Sequence, residues 1–187
     1  QANNNPTRTA AAEALVDWLA TDPTGSNDDD VLIIGDLNAY LQEDPIQAIL
    51  DGADGTRGTD DDYLSLVAGD DYTFGFPIGL DTVPQVQTFG TLDYALANTS
   101  LHDQVAGAAI WHINADEPSV LDYNLNFKPT NQQGTLYAPD AFRASDHDPV
   151  IVGLDLSTAN VAPTADAGAD QTVDDVDAAG NPTVVTL

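Results

Sequence analysis

The apolar and polar positions of this chain show two patterns, a helical period and a continuous apolar run. Over residues 9–20, leucine and valine side chains recur with helical spacing, which predicts an amphipathic helix. Residues 31–34 (Val-Leu-Ile-Ile) form a continuous apolar run, which predicts a strand buried on both faces. Asp44 and Pro45 predict the start of a second helix, with Asp44 as its N-cap and Pro45 in the first position.

Further strands are predicted where short apolar or alternating segments are bounded by turn residues. We expect them near residues 72–76, 92–96, 108–113 and 150–154. A Gly/Asp-rich loop covers residues 51–62, and a long irregular segment covers residues 124–143. The mixture of buried strands and amphipathic helices favours an α/β or α+β sandwich.

The composition changes at residue 157. Residues 157–172 are small and polar, and we expect them to be a linker after a first domain over residues 1–156. Residues 160–173 contain a proline followed by Ala-Asp-Ala-Gly, which resembles the opening of a polycystic-kidney-disease-type module. We therefore expect residues 173–187 to be the truncated start of a β-sandwich.

Composition and charge exclude several classes of protein. Lys and Arg number 4 against 31 Asp and Glu, a net charge of −27, so no basic patch can bind nucleic acid or anionic lipid by charge alone. The absence of cysteine excludes disulfides, thiolate metal sites and a cysteine nucleophile. No stretch approaches the roughly 18 apolar residues of a membrane span. Because the chain lacks methionine, we expect it to be a processed piece or a fragment.

Three short motifs carry candidate chemistry, and the first follows the apolar run at residues 31–34. Asp36 and Asn38 lie in the sequence Gly-Asp-Leu-Asn, where an extended chain would point both side chains the same way. The carboxylate can accept a proton or orient a water, and the carboxamide can donate to a phosphate oxygen. The alternative interpretation is a turn, since the same residue types favour turns.

The other two motifs supply acids and a histidine. Asp93 lies in an apolar segment, where a buried carboxylate needs a partner such as histidine, unless it is a polar position on a half-exposed strand. Asp146 and His147 come just before the strand expected at residues 150–154. Asp146 offers oxygen to a hard cation, and His147 offers a general base or a phosphate contact. The alternative for this pair is a surface loop.

Taken together and in this order, the motifs resemble those of the endonuclease/exonuclease/phosphatase family, the deoxyribonuclease I-like superfamily of metal-dependent phosphodiesterases. Residues 35–45 (Gly-Asp-Leu-Asn-Ala-Tyr-x-x-Glu-Asp-Pro) and 111–118 (Trp-His-Ile-Asn-Ala-Asp-Glu-Pro) look like the bacterial extracellular nuclease branch. The matching segments span residues 31–154. This resemblance implies a four-layer α/β sandwich with its site at one edge of two packed sheets.

The resemblance also implies hydrolysis of a phosphodiester by in-line attack of water, helped by Mg²⁺ or Mn²⁺. Asp36 matches the acid that orients or activates the water, and Asn38 matches the amide that steadies the water or the phosphate. Asp146 matches a metal-site carboxylate. His147 matches the histidine that contacts the scissile phosphate, and Asp93 matches the acid paired with that histidine.

Members of the family carry further site residues in an N-terminal half of the domain, and nothing in this sequence matches those segments. We therefore expect the chain to be the C-terminal half of a catalytic domain. Such a half should leave an apolar face uncovered, and alone it should not cleave DNA.

Other residues offer weaker candidates. The acidic loop at residues 51–62 offers oxygens to Ca²⁺, but its spacing does not fit an EF-hand, which favours a solvated loop. Lys128 and Arg143 are candidates for contacts with DNA phosphates, and solvated cations are the alternative. We expect Trp111 to pack in the core and His112 to be a structural hydrogen-bonding residue.

The favoured function is degradation of extracellular DNA by a secreted or surface-attached bacterial nuclease. One alternative is another phosphoesterase, either a phosphatase or a lipid phosphodiesterase. Another is a non-catalytic cell-surface protein with a decayed hydrolase-like domain. The complete set of matching site residues argues against decay. The extracellular or cell-surface location follows from the resemblance and from the appended module.

Overall fold

A computed structural model describes residues 4–67, 71–78, 86–121, 124–126, 128–156, 172–176 and 182–186. The chain divides into two compact units, Gln1–Asp155 and Leu156–Leu187. This division falls one residue before the domain end expected from the sequence. The expected linker lies outside the described residues, apart from its last position. No helix among the described residues is long and apolar enough to cross a membrane.

The described residues form four α-helices and nine strands. The helices are α1 (Asn5–Leu19), α2 (Asp44–Leu50), α3 (Thr99–His102) and α4 (Thr130–Thr135), and a 3₁₀ turn covers Ser119–Leu121. The strands are β1 (Leu32–Asp36), β2 (Tyr63–Ser65), β3 (Phe74–Ile78), β4 (Val86–Gly90), β5 (Asp93–Asn98), β6 (Val105–Ile110), β7 (Val150–Leu154), β8 (Thr172–Val176) and β9 (Pro182–Thr186). The expected mixture of helices and strands is confirmed.

All the sheets are antiparallel and small. One has the strand order β1-β5-β2, and the others are the pairs β3-β4, β6-β7 and β8-β9. The pair β8-β9 is the described part of the second unit. The sequence pattern did not predict β2, β4, α3 or α4. Strand β2 and helix α3 are too short to display a period of their own, and α4 lies in the segment of residues 124–143 that was expected to be irregular.

One face of the three-stranded sheet packs on α1 and α2. Ile33 of β1 pairs with Leu96 of β5, and both side chains join the core on this face. The buried members of this core are Ala12, Val16, Ala39, Ile46, Ile49, Leu50, Tyr63, Tyr94 and Leu96. The first helix begins at Asn5, earlier than predicted, because Pro6 lies in its first turn, where the fixed φ of proline favours a helix start.

The other face of the same sheet is apolar and partly open. Ile34 and Leu64 lie on it and are 54% and 38% exposed, whereas Ala95 and Ala97 of the central strand lie on it and are fully buried. The expected burial of β1 on both faces is therefore wrong, because Ile34 of β1 is more than half exposed on this face. The open face agrees with the uncovered apolar surface expected from the sequence.

Two further local expectations are also wrong. The N-cap of α2 is Glu43, not Asp44, and Asp44 is the first helical residue. The Glu43 carboxylate accepts the backbone N–H of Tyr40 at 3.0 Å, so it closes the preceding turn. Trp111 is 52% exposed instead of buried, because β6 ends at Ile110 and the indole follows it outside the sheet.

Candidate active site

Two carboxylates stand side by side at one end of the three-stranded sheet. Asp36 ends β1 and Asp93 begins β5, and the antiparallel register pairs them directly. Asp36 and Asp93 are two residues along their strands from Ile34 and Ala95, so their side chains project from the same, partly open face. Asp36 is exposed, and the Asp93 side chain is 16% exposed. Two neighbouring acids facing solvent form a natural position for a proton or a cation.

His147 completes this group from a distant part of the chain. Its Nδ1 lies 2.6 Å from Oδ2 of Asp93, so the two side chains form a hydrogen bond. One ligand atom from each of Asp36, Asp93 and His147 lies within 4.8 Å of the others. The predicted pairing of Asp93 with a histidine is thus present in the structure. Across the described residues, this is the one group of three or more side chains suited to a metal ion.

The buried side chain of Thr73 fixes the position of Asp93. The Thr73 hydroxyl oxygen accepts the backbone N–H groups of Leu92 and Asp93 at 3.0 and 3.1 Å. The carbonyl of Thr73 accepts the N–H of Asp148 at 2.7 Å, and Phe74 forms a β-bridge with His147. One short segment therefore holds both members of the Asp93–His147 pair.

Asp148 anchors the loop that carries His147. Its side chain is fully buried, and its Oδ1 accepts the N–H groups of Ile113, Asn114 and Ala115 at 3.1, 2.8 and 2.9 Å. The Asn114 amide in turn donates to the carbonyl of His147 at 2.6 Å. Sequence reasoning missed this role of Asp148. The sequence feature that could have indicated it is the pair His112 and Asn114, because polar side chains that follow a strand end need hydrogen-bond partners.

His112 lies between two carboxylates. Its Nδ1 is 2.9 Å from Oδ2 of Asp148, and its Nε2 is 3.1 Å from Oδ1 of Asp71. Burial alone lowers the pKa of His112. The hydrogen bond to Asp148 and the charges of Asp148, Asp71 and Asp116 outweigh that effect, so the pKa is raised above its ordinary value of 6.5. The expectation that His112 is a structural hydrogen-bonding residue is confirmed.

Tyr72 covers the ring of His112. The two rings stack with centroids 4.3 Å apart, and the Tyr72 hydroxyl donates to Asp116 at 2.7 Å. Burial, together with that hydrogen bond and the charge of Asp116, raises the pKa of Tyr72 to about 12. The phenol therefore stays protonated as a donor at neutral pH, and the pair Tyr72–Asp116 keeps the ring against His112.

Asn38 lies in a turn rather than on an extended strand. Its φ is 53°, and its backbone N–H donates to Oδ1 of Asp36 at 2.7 Å. The expectation that Asp36 and Asn38 project the same way from an extended chain is therefore wrong, because β1 ends at Asp36. The turn alternative describes the backbone, and the amide role of Asn38 stays a prediction.

Arg8 stabilises this turn, and no local pattern in the sequence indicates this contact. The guanidinium of this residue of α1 donates to the carbonyls of Leu37 and Asn38 and lies 3.8 Å from the Glu43 carboxylate. On the other side, the buried hydroxyl of Tyr94 donates to the Ala39 carbonyl at 2.8 Å. The turn beside Asp36 is thus held from two directions.

The remaining predicted site residues are not members of this close group. Asp146 is exposed and is not a member of the close group, so its metal role stays a prediction. Arg143 donates from Nη1 to the Asn114 carbonyl at 2.7 Å, which ties the His147 loop to residues 113–115. Lys128 and Arg143 both line a cavity of about 310 Å³. Their contact with phosphate also stays a prediction.

The acidic loop at residues 51–62 uses its carboxylates internally. Asp61 accepts the Thr59 hydroxyl and the N–H of Asp54, and Asp62 accepts the N–H of Gly58. The hydrogen bond from Thr59, followed by that from the Asp54 backbone, lowers the pKa of Asp61. A self-bonded acidic loop fits these contacts, and Ca²⁺ binding there stays a prediction.

The close group has the chemistry that a divalent cation needs. Ligand atoms around one Mg²⁺ or Mn²⁺ lie about 2.1 Å from the ion and therefore about 3–4 Å from one another. The ligand atoms of Asp36, Asp93 and His147 all lie within 4.8 Å of one another, which is compatible with this geometry. Two carboxylates provide hard oxygen donors, and one imidazole provides nitrogen. No protein-family model, curated protein or solved structure matches this chain.

Proposed function

We propose that this chain carries the acid and histidine half of a metal-dependent phosphodiesterase site, which acts on extracellular DNA. The observation that supports this most is the convergence of Asp36, Asp93 and His147, which are separated by 57 and then 54 residues in the chain. The hydrogen bond of 2.6 Å between Asp93 and His147 pairs the acid with the histidine as the family resemblance implies.

Each side chain has a role that follows from its position. Asp93 accepts the Nδ1 proton of His147, which leaves Nε2 to donate to a phosphate oxygen when the ring is charged. Asp36 is exposed and can accept a proton from an attacking water. The reaction adds water across one P–O bond and gives a phosphomonoester and an alcohol. A Mg²⁺ or Mn²⁺ ion held by Asp36 and Asp93 would neutralise phosphate charge.

The fold supports the same proposal. One sheet face packs on α1 and α2, and the opposite face is apolar and carries Asp36 and Asp93 at its end. A second sheet against that face would complete a four-layer sandwich with the acids at its edge. We propose this arrangement for the whole catalytic domain, since the resemblance implies further site residues that this sequence does not match.

Cleavage of supercoiled plasmid tests the proposal. The chain and any longer product of its gene are incubated with Mg²⁺ or Mn²⁺, with and without a chelator, in low and high salt. His147→Ala should lower the rate at least about 100-fold, the usual scale for a lost general acid or base. His102→Ala is the matched control, because His102 is an exposed histidine at the end of α3.

The outcomes are distinct. Chelator-sensitive cleavage that is lost in His147→Ala but kept in His102→Ala supports the proposal. Absence of cleavage of both the plasmid and a single-stranded DNA by the longest product, in every salt and metal condition, contradicts it and favours the non-catalytic surface protein. Hydrolysis of a phosphomonoester or a phospholipid in place of DNA keeps the site and replaces the substrate.

A further inference from the structure

A row of aromatic rings leads away from His147. The ring of Phe74 lies 4.6 Å from that of His147, and the ring of Phe76 lies 4.4 Å from that of Phe74. Tyr40 follows, with its ring 6.2 Å from that of Phe76. The row therefore continues from the histidine of the proposed site to the outer surface.

The end of the row is exposed although its residues are large and apolar. Phe76 is 38% exposed and Tyr40 is 42% exposed. Phe74 and Phe76 are two residues apart on β3, so they share one face of the β3-β4 pair. Exposed rings next to a candidate site offer π-faces to a ligand that carries rings of its own.

The backbone is shaped to admit the Tyr40 ring. Gly90 pairs with Phe74 across the β3-β4 register, and a Cβ atom at Gly90 would collide with Cε1 of Tyr40. The ring of Tyr40 thus lies directly on the glycine, where any other residue would displace it. This contact fixes the last ring of the row relative to Phe76.

Charge decides which ligand this surface suits. The sequence has only 4 Lys and Arg residues, and its net charge is −27. Two of these four residues already have partners, since Arg57 pairs with Asp51 and Arg8 donates to the Asn38 carbonyl. Affinity through phosphate contacts requires Lys and Arg. Stacking of bases on aromatic rings does not require them, and it works on any base whose face is accessible. In a duplex those faces are hidden by neighbouring base pairs.

We propose that Tyr40 and Phe76 form a base-stacking platform beside His147, and that the preferred substrate is a single-stranded nucleic acid. The proposal rests on the phosphodiesterase function proposed above. Bases unstacked from the strand lie on the two rings, and the linking phosphodiester then reaches the neighbourhood of His147. Discrimination against duplex comes from base accessibility rather than from sequence readout.

Binding without turnover tests the platform. Fluorescence anisotropy follows a labelled 12-nucleotide DNA single strand in chelator, against its duplex and an abasic strand of equal length. Phe76→Leu and Tyr40→Leu keep apolar volume but remove the π-face, and each should weaken single-strand binding about fivefold or more. Gly90→Ala should weaken it too, because the Tyr40 ring is displaced.

Two controls keep the result specific. Phe89→Leu alters an equally exposed phenylalanine of the same strand pair, but Phe89 pairs with Gly75 and therefore lies on the opposite face. Tyr40→Phe keeps the ring and should retain binding. Circular dichroism confirms that each variant is folded.

The proposal is overturned if Phe76→Leu binds as Phe89→Leu does, or if duplex and abasic strands bind as tightly as the single strand. It is supported if only the ring-removing variants and Gly90→Ala lose single-strand affinity. Because binding is measured in chelator, its outcome is independent of plasmid cleavage. Cleavage lost in His147→Ala with unchanged Phe76→Leu binding would remove the platform and leave the nuclease function.

Discussion

Replacing Asp148 with asparagine removes one buried negative charge and leaves the shape of the side chain unchanged. The Asp148 side chain is 0% exposed, and its Oδ1 accepts three backbone N–H groups at 2.8–3.1 Å. An amide oxygen can still occupy that position. However, the amide nitrogen then faces Nδ1 of His112, where the carboxylate lies at 2.9 Å.

The loss can be worked out from these contacts. Hydrogen bonds to a charged acceptor contribute about 1.5–3 kcal/mol, against about 0.5–1.5 kcal/mol for a neutral one, so three such bonds lose about 3–4 kcal/mol. Burying an amide costs less than burying a charge, which returns part of this loss. We expect Asp148→Asn to lower the free energy of unfolding by about 3 kcal/mol. For a domain of this size that lowers Tm by roughly 6–12 °C.

Urea unfolding followed by tryptophan fluorescence measures the effect, because the backbone N–H of Trp111 donates to the Pro149 carbonyl at 3.0 Å, next to Asp148. Asp146→Asn is the matched control, since it removes the same charge from an exposed side chain two positions away. The pKa of His112 should also fall in Asp148→Asn, which an NMR titration of the imidazole would record. If Asp148→Asn and Asp146→Asn unfold within about 0.5 kcal/mol of each other, the anchoring role of Asp148 is refuted.

Three further predictions follow from the contacts around the site. Folding raises the pKa of His112, so the stabilisation that protonated His112 provides is complete below its unfolded pKa near 6.5 and is lost as pH rises through its folded pKa. The difference in unfolding free energy between wild type and His112→Gln should therefore shrink as pH rises. A difference that is constant with pH would contradict this. Thr73→Val leaves the N–H groups of Leu92 and Asp93 without their acceptor, so the free energy of unfolding measured in urea should fall by about 1–3 kcal/mol. Thr73→Ser keeps the hydroxyl and should avoid this loss. Equal losses in both variants would show that the Thr73 hydroxyl does not stabilise this segment. Arg8→Ala frees the carbonyl of Asn38, so plasmid cleavage by a longer product of the gene that is active should fall more than in Arg57→Ala, whose ion pair lies in the acidic loop. Equal rates in that product would exclude a positioning role for Arg8.

The sequence was informative where chemistry is carried by single side chains beside predicted strands. Asp93 and His147 were each ambiguous alone, and the resemblance to the endonuclease/exonuclease/phosphatase family implied their pairing. The structure joins them at 2.6 Å, because β5 starts at Asp93 and the bridge to Phe74 brings His147 alongside it. Hydrophobic runs likewise located β1, β5 and β7, since those strands have a local apolar signal.

The rest depends on contacts that no local pattern records. His112 and Asp148 are 36 residues apart, and Arg8 is 30 residues from the carbonyl of Asn38. The apolar run of β1 indicated burial, but the exposure of Ile34 depends on which layers the chain provides. Asn38 adopts a positive φ because β1 ends two residues earlier, and the identity of Asn38 allowed a turn without requiring one.

Binding of Mn²⁺ tests the central claim most directly, namely that Asp36, Asp93 and His147 form one metal-dependent site. Electron paramagnetic resonance counts bound Mn²⁺ in high salt, which screens weak binding to the other aspartates. We expect the wild type and the control Asp60→Asn to bind Mn²⁺ in high salt. Asp36→Asn and Asp93→Asn should lose this binding. Equal Mn²⁺ binding by all four proteins would contradict it.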